Sequence, residues 1–195
     1  DYMIWEFFIC ATTVLLHYER FYELHKLLVH PYFLRSNYFN IAVEPQNYTV
    51  FCKNLRTVET ACKEKCENPR LYTLSGDILV KREKRPVLTK ASISNADIVL
   101  YQLNCLLNLP STNSWHRWFP TTYVYFEGTQ VIWQKLISKS YCKKIYPLFA
   151  VKTIEELKEC LKSSIENRDV SYPGAWDSAP GILSAIKVED IGKLE

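Results

Sequence analysis

Glycine is scarce in this chain, five residues in 195. The scarcity excludes the glycine-rich phosphate cradles: neither GxGxxG nor GxxxxGK[ST] occurs, and a dinucleotide or P-loop site goes with them. Methionine occurs once, as Met3, and the chain opens on Asp1, which points to a piece of a longer protein. A spanning apolar run is also missing. The stretch from Asp1 to Leu16 is interrupted by Glu6 and falls short of the roughly 20 residues a bilayer demands, so no membrane partner is expected. No basic segment precedes it, which argues against a signal peptide. The seven cysteines are odd in number and show no paired spacing. Reduced thiols in a cytoplasmic protein are therefore expected, rather than a secreted disulfide scaffold. Charge of one sign is lacking too: a net +3 neither demands nor excludes a nucleic acid.

What is present reads as a folded domain. A hydrophobic fraction of 48% against 23% charged excludes general disorder, and the length suits one core. Thirteen tyrosines and five tryptophans supply large apolar area with polar edges, suited to a thick core or a partner interface. The pattern predicts one α/β domain over residues 1–170, then a tail over 171–195 carrying a short helix near Ile182–Ile191.

Residues 3–29 read as one long helix, with Ile4, Phe7, Phe8, Ala11, Leu15, Tyr18 and Tyr22 at helical spacing. Its first half is apolar nearly all round, which implies burial on several sides or a neighbour outside this chain. His30-Pro31 ends it. A short strand over residues 38–43 and a helix from about Leu55 to Cys66 follow. Leu71–Leu74 and Ile78–Val80 flank Ser75-Gly76-Asp77 as a hairpin turn. The stretch from Asp97 to Leu103 is rich in branched and aromatic residues and is favoured as a buried strand. Continued through Cys105, Leu106 and Leu107 it would instead make a helix, and periodicity alone leaves both open.

Thr121–Phe126, bounded by Pro120 and Gly128, reads as the clearest strand. A helix face follows in Val131, Ile132, Leu136 and Ile137, ending near Tyr141. Ile145–Val151 then reads as an edge strand because it contains Pro147. Thr153 and Glu156 make a capping box, in front of the stripe Ile154, Leu157, Leu161 and Ile165. Strands alternating with amphipathic helices predict a Rossmann-like or flavodoxin-like three-layer domain with a mostly parallel sheet.

In such a sheet, ligands bind outside the carboxyl ends of the strands. That rim would gather Asn104, His116, Arg117, Trp118, Glu127 and Lys152. Trp118 would stack on a base and Arg117 meet phosphate, with Asn104 and Lys152 completing a crevice for a nucleotide. Glu127 would hold a ribose hydroxyl or act as an acid/base group, with His116 opposite. The competing reading has Trp115 and Trp118 anchoring a loop while His116 and Arg117 are solvated. TIR-like and nucleoside-deoxyribosyltransferase-like folds place a catalytic carboxylate on this rim, an analogy of fold that no motif in this chain carries.

Cys52, Cys62 and Cys66 lack a fourth nearby ligand, so core thiols are favoured over zinc; no metal and no cofactor is implied. Lys81, Arg82, Lys84, Arg85 and Lys90 form a basic run able to track a phosphate backbone, or simply a solvated hairpin. Three functions follow in order. The first is a sensing or protein-interaction module of a larger intracellular protein, associating with itself or a flanking domain through the first helix. The second is an enzyme cleaving an N-glycosidic bond of a nucleotide. The third is a nucleic-acid binder or nuclease.

Overall fold

Helices make up every named element among the described residues of this computed structural model, which are 2–33, 45–52, 74–82, 85–107, 118, 120–126, 130–166 and 181–195. No β-strand occurs among them; the two bridges, Tyr32 with Gln46 and Ser138 with Leu194, are isolated. The expected three-layer α/β domain is therefore replaced by an all-helical fold. No helix among the described residues is long and apolar enough to cross a membrane.

The expected single helix over 3–29 is two, α1 (Tyr2–His17) and α2 (Phe21–Val29). The break is a Schellman-type turn: Arg20 N–H reaches the Leu15 carbonyl at 2.8 Å, and Glu19 N–H the Leu16 carbonyl at 3.2 Å. Glu19 occupies the left-handed position that glycine usually fills, at φ 52°. Its carboxylate is held there by Lys135 at 2.9 Å and Lys144 at 3.2 Å. The cause of the break thus lies over a hundred residues away, out of reach of local pattern.

α3 (Leu74–Arg82) replaces the expected hairpin. Gly76 serves close approach instead of a turn, since a Cβ there would lie 2.5 Å from the Thr121 carbonyl oxygen. α4 (Lys90–Leu106) replaces the favoured strand at Asp97. It is capped by Thr89, whose hydroxyl accepts from Ser92 N–H while Ser92 Oγ accepts from Thr89 N–H. Ile93, Ala96, Ile98, Val99, Leu100 and Leu103 are all buried, so α4 is enclosed on most sides and its helical period is blurred by apolar residues all round.

Thr121–Phe126 is a turn running into one 3₁₀ turn, Tyr123–Tyr125, because Tyr123 N–H closes on the Pro120 carbonyl. Its branched and aromatic side chains fit a pleated surface, yet no strand among the described residues lies beside it. A short α5 (Val131–Gln134) tightens into a 3₁₀ turn over Lys135–Ile137, and the chain restarts at Ser138, the N-cap of α6 (Lys139–Phe149). The expected edge strand Ile145–Val151 falls mostly within α6. Pro147 stands inside α6 on its exposed side, while Tyr141, Cys142, Ile145, Leu148 and Phe149 turn inward.

α7 (Ile154–Glu166) is present as read, with Leu157 and Leu161 buried. Thr153 Oγ1 accepts from Glu156 N–H at 3.1 Å, but the Glu156 carboxylate accepts from Lys152 N–H, one residue earlier than the capping box predicts. The expected short helix near Ile182–Ile191 resolves into two 3₁₀ turns, Ile182–Ser184 and Val188–Asp190. The closing residues then dock by backbone, with Gly192 and Leu194 N–H on the Leu136 and Ile137 carbonyls.

α1 packs on α4 and α2, α2 on α6, and α4 and α6 both on α7. The core between α1 and α4 is aromatic: Phe8 stacks on Tyr48 at 5.5 Å, and Trp118 closes on both. The expected strand at 38–43 and the helix at Leu55–Cys66 lie outside the described residues.

Candidate functional site

With no sheet among the described residues there is no carboxyl rim there, and the crevice that would have gathered the candidate residues loses its basis. Asn104 and Trp118 are brought together, but as core. The Asn104 side-chain oxygen accepts from Trp118 N–H at 3.2 Å, and the Trp118 ring is fully buried. Lys152 stands apart in the turn before α7 and contributes its backbone N–H to Glu156. His116, Arg117 and Glu127 lie outside the described residues.

The basic run is likewise redistributed by the loss of the hairpin. Lys81 and Arg82 close the last turn of α3, where cations suit the helix dipole. Arg82 also pairs with Glu6 of α1. Arg85 is exposed, and Lys90 opens α4 with its ammonium 4.9 Å from the Tyr125 ring centre. Lys84 lies outside the described residues.

Two features stand out, the first absent from the sequence reading and the second anticipated there only as an apolar excess in the first helix. The first is a polar knot on α4. Asp97 is fully buried and accepts from Trp118 Nε1 at 2.7 Å and from Thr122 N–H and Oγ1, each at 2.8 Å. Burial pushes its carboxyl up to about 6, outweighing the three donors that favour the charged form. One turn and a half later, Gln102 and Gln130 exchange amide bonds at 2.8 and 3.1 Å, and Trp133 Nε1 donates to Gln102 at 2.7 Å. These bonds pin Trp118, Thr122 and the start of α5 to α4. The signal available was spacing: Asp97 and Gln102 fall among apolar residues of a helix, where polar groups demand partners.

The second feature is the outer face of α1. Met3, Phe7 and Val14 are exposed, Met3 by 79% and Phe7 by 72%, Cys10 lies among them partly buried, and Tyr18 continues the row in the turn just past α1, its ring edge-on to His17. Their steps of four, three, four and four follow the seam of a coiled coil, with one long step at the end. The opposite face carries Trp5, Phe8, Ile9 and Thr12, all buried. α1 therefore has two apolar seams, one filled by this chain's core and one presented outward. The all-round apolar composition of its first half carried this signal. Glu6 is the only carboxylate along α1; it is nearly buried and committed to Arg82.

Among the described residues no three His, Cys, Asp or Glu side chains converge as metal ligands. No family model, no curated protein and no solved structure matches this chain.

Proposed function

We propose that this chain is an interaction module that pairs with a second copy of itself through the outer seam of α1. The observation that carries the reading is the row Met3, Phe7, Val14 and Tyr18, exposed on a helix whose other face is already in the core. Isolated exposed apolar residues need no explanation, whereas a continuous row of them marks an interaction surface. The row is also close to self-complementary. In an antiparallel pair with its dyad between Cys10 and Ala11, Met3 meets Tyr18 and Phe7 meets Val14, large against small. The small residues at the centre permit close approach, opposed helix dipoles favour this orientation over the parallel one, and no charge repels across the seam.

Sixteen residues give a seam of about 24 Å. That length places the contact at the small end of specific interfaces, so association in the micromolar range is expected. A reducing, cytoplasmic setting belongs to the same reading, and the Cys142 and Cys160 thiols, both raised by burial, are poorly reactive there.

Light scattering across a concentration series tests the pairing. The expected mass rises from one chain towards two, and Phe7→Glu holds it at one. A mass of one chain at every concentration up to hundreds of micromolar would sink the proposal. So would a dimer indifferent to both Phe7→Glu and Val14→Glu.

A further inference from the structure

The elbow between α1 and α2 is bent against the preference of its own sequence. Only Tyr18, Glu19 and Arg20 separate the two helices, and none of the three is glycine or proline. Helical spacing runs straight through them, from Leu15 to Tyr18 and Tyr22. Glu19 stands at φ 52°, a left-handed conformation that costs a residue with a Cβ conformational free energy. α2 also starts without a side-chain cap at Arg20. Straightening the elbow into one helix would relieve Glu19. It would also bring the His17, Tyr18 and Glu19 carbonyls to the N–H groups of Phe21, Tyr22 and Glu23. Against this stand the Schellman-type bonds and the ties from Glu19 to Lys135 and Lys144, two partners about half exposed or more. Ion pairs so open to water are weak.

Within one chain the elbow cannot straighten without stripping a core face. Trp5, Phe8 and Ile9 on α1 and Phe21, Leu24 and Leu28 on α2 are all buried, so one helix would have to leave its seat. Two chains remove that conflict. If each α1 swings on a straightened hinge into the seat against α4 of the other copy, every inner contact re-forms. Phe8 again meets Tyr48 and Trp118, and Glu6 again meets Arg82. Exchange of an identical element through a short, strained hinge is a low-cost route to a dimer. We infer that the α1–α2 elbow is a releasable hinge, and that releasing Glu19 lets two copies exchange α1. The exchange uses the inner face of α1, so it is independent of pairing through the outer seam.

The test is made in a Phe7→Glu background, which removes outer-seam pairing from the readout. Two substitutions at Glu19 remove the same ion pairs and differ in the backbone they favour. Glu19→Ala disfavours the left-handed turn and favours helix, whereas Glu19→Gly takes up the turn without strain. At about tenfold per hinge and two hinges per dimer, exchange should be about a hundredfold more favourable for Glu19→Ala. Refolded from urea at high concentration, Glu19→Ala should give a mass of two chains by light scattering. That mass should persist for hours after dilution, because reversal requires α1 to leave a closed core. Glu19→Gly should stay at one chain. A Glu19→Ala dimer refolded from isotope-labelled and unlabelled chains should show interchain nuclear Overhauser contacts between the Phe8 and Tyr48 rings, which stack at 5.5 Å. A one-chain mass for Glu19→Ala at every concentration would overturn the inference. So would equal dimer yields from Glu19→Ala and Glu19→Gly, a dimer that dissociates at once on dilution, or the absence of interchain contacts between those rings. Pairing through the outer seam is read separately, as a rapidly reversible dimer lacking the Phe8–Tyr48 interchain contact, so either proposal can fail without the other.

Discussion

α1 and α4 lie against each other, and each inverts the usual distribution of polarity in its own direction. α4 takes Asp97, Gln102, Asn104 and Ser94 inside, each of them buried. α1 leaves Met3, Phe7, Val14 and Tyr18 outside. Buried polar groups and exposed apolar rows are the two informative departures from the ordinary pattern, and they inform about different things. In α4 the buried groups answer one another, Asp97 with Trp118 and Thr122, Gln102 with Gln130 and Trp133, so the departure specifies how loops seat on a helix. In α1 the row stays largely exposed, and on the proposed reading that departure marks a meeting with something else. Changes in α4 should therefore act on folding, and changes on the outer face of α1 on association.

The largest effect belongs to Asp97. Asp97→Ala leaves the Trp118 indole N–H and the Thr122 N–H and hydroxyl without their acceptor in a fully buried site. At about 1–3 kcal/mol for each orphaned donor, partly relieved by relaxation, the loss should reach about 3–5 kcal/mol. Urea unfolding measures it, and a loss under 1 kcal/mol would mean the knot is ornamental. Next comes the pH dependence. The folded carboxyl lies near 6 against 3.8 when exposed, so between those values the folded chain keeps a proton that the unfolded chain has released. Stability from this group is present below about pH 4 and is lost as pH rises through 6, by about 3 kcal/mol for roughly two pKa units. Glu19 acts in the opposite sense, since its lysine partners hold its carboxyl low and its contribution is lost as pH falls. The difference in unfolding free energy between the unsubstituted chain and Asp97→Asn, followed from pH 4 to pH 7, isolates Asp97. A difference that is flat with pH contradicts the assignment.

A third change tests the other half of the α4 network. Gln102→Leu is close in volume, yet it leaves the Gln130 amide and the Trp133 indole unpaired in the core. The expected loss is about 2 kcal/mol. Trp133→Phe should cost less, because it removes a donor and leaves Gln102 and Gln130 still exchanging their bonds.

These helices also differ in how openly the sequence declares them. α7 was legible because its signals are local and clean: Thr153 and Glu156 stand three apart, and Leu157 and Leu161 recur against a charged face. α4 carried an equivalent start in Thr89 and Ser92, but its interior is apolar on most sides, and Ile98, Val99, Leu100 and Tyr101 read equally well as a strand. One ambiguity carries into the next, since a strand at Asp97 makes one at Thr121 plausible, and the two together make a rim. The division of α1 from α2 was hidden for a different reason. Glu19 adopts the left-handed conformation because Lys135 and Lys144 hold it, and neither glycine nor proline marks the place. Of the candidate site, the excess of apolar residues in the first helix was visible, and so was the inference of a neighbour beyond it. Which side faced outward depended on which side the core took, and that is a tertiary fact.

The smallest effect on stability should come from the most conspicuous substitution. Phe7 is exposed by 72%, so Phe7→Glu buries no charge in the isolated chain and disturbs no hydrogen bond of α1. Surface changes of this kind usually stay within about 0.5 kcal/mol. In the antiparallel pair the same side chain would sit against Val14 of the second copy, where an unpaired carboxylate loses its water. Unfolding measured at low micromolar concentration should therefore be nearly unchanged by Phe7→Glu while the concentration dependence of the mass disappears. If the substitution instead lowers stability by 2 kcal/mol or more in the monomer, the outer face of α1 is covered within the chain itself. The contrast with α4 would then collapse into two versions of one core.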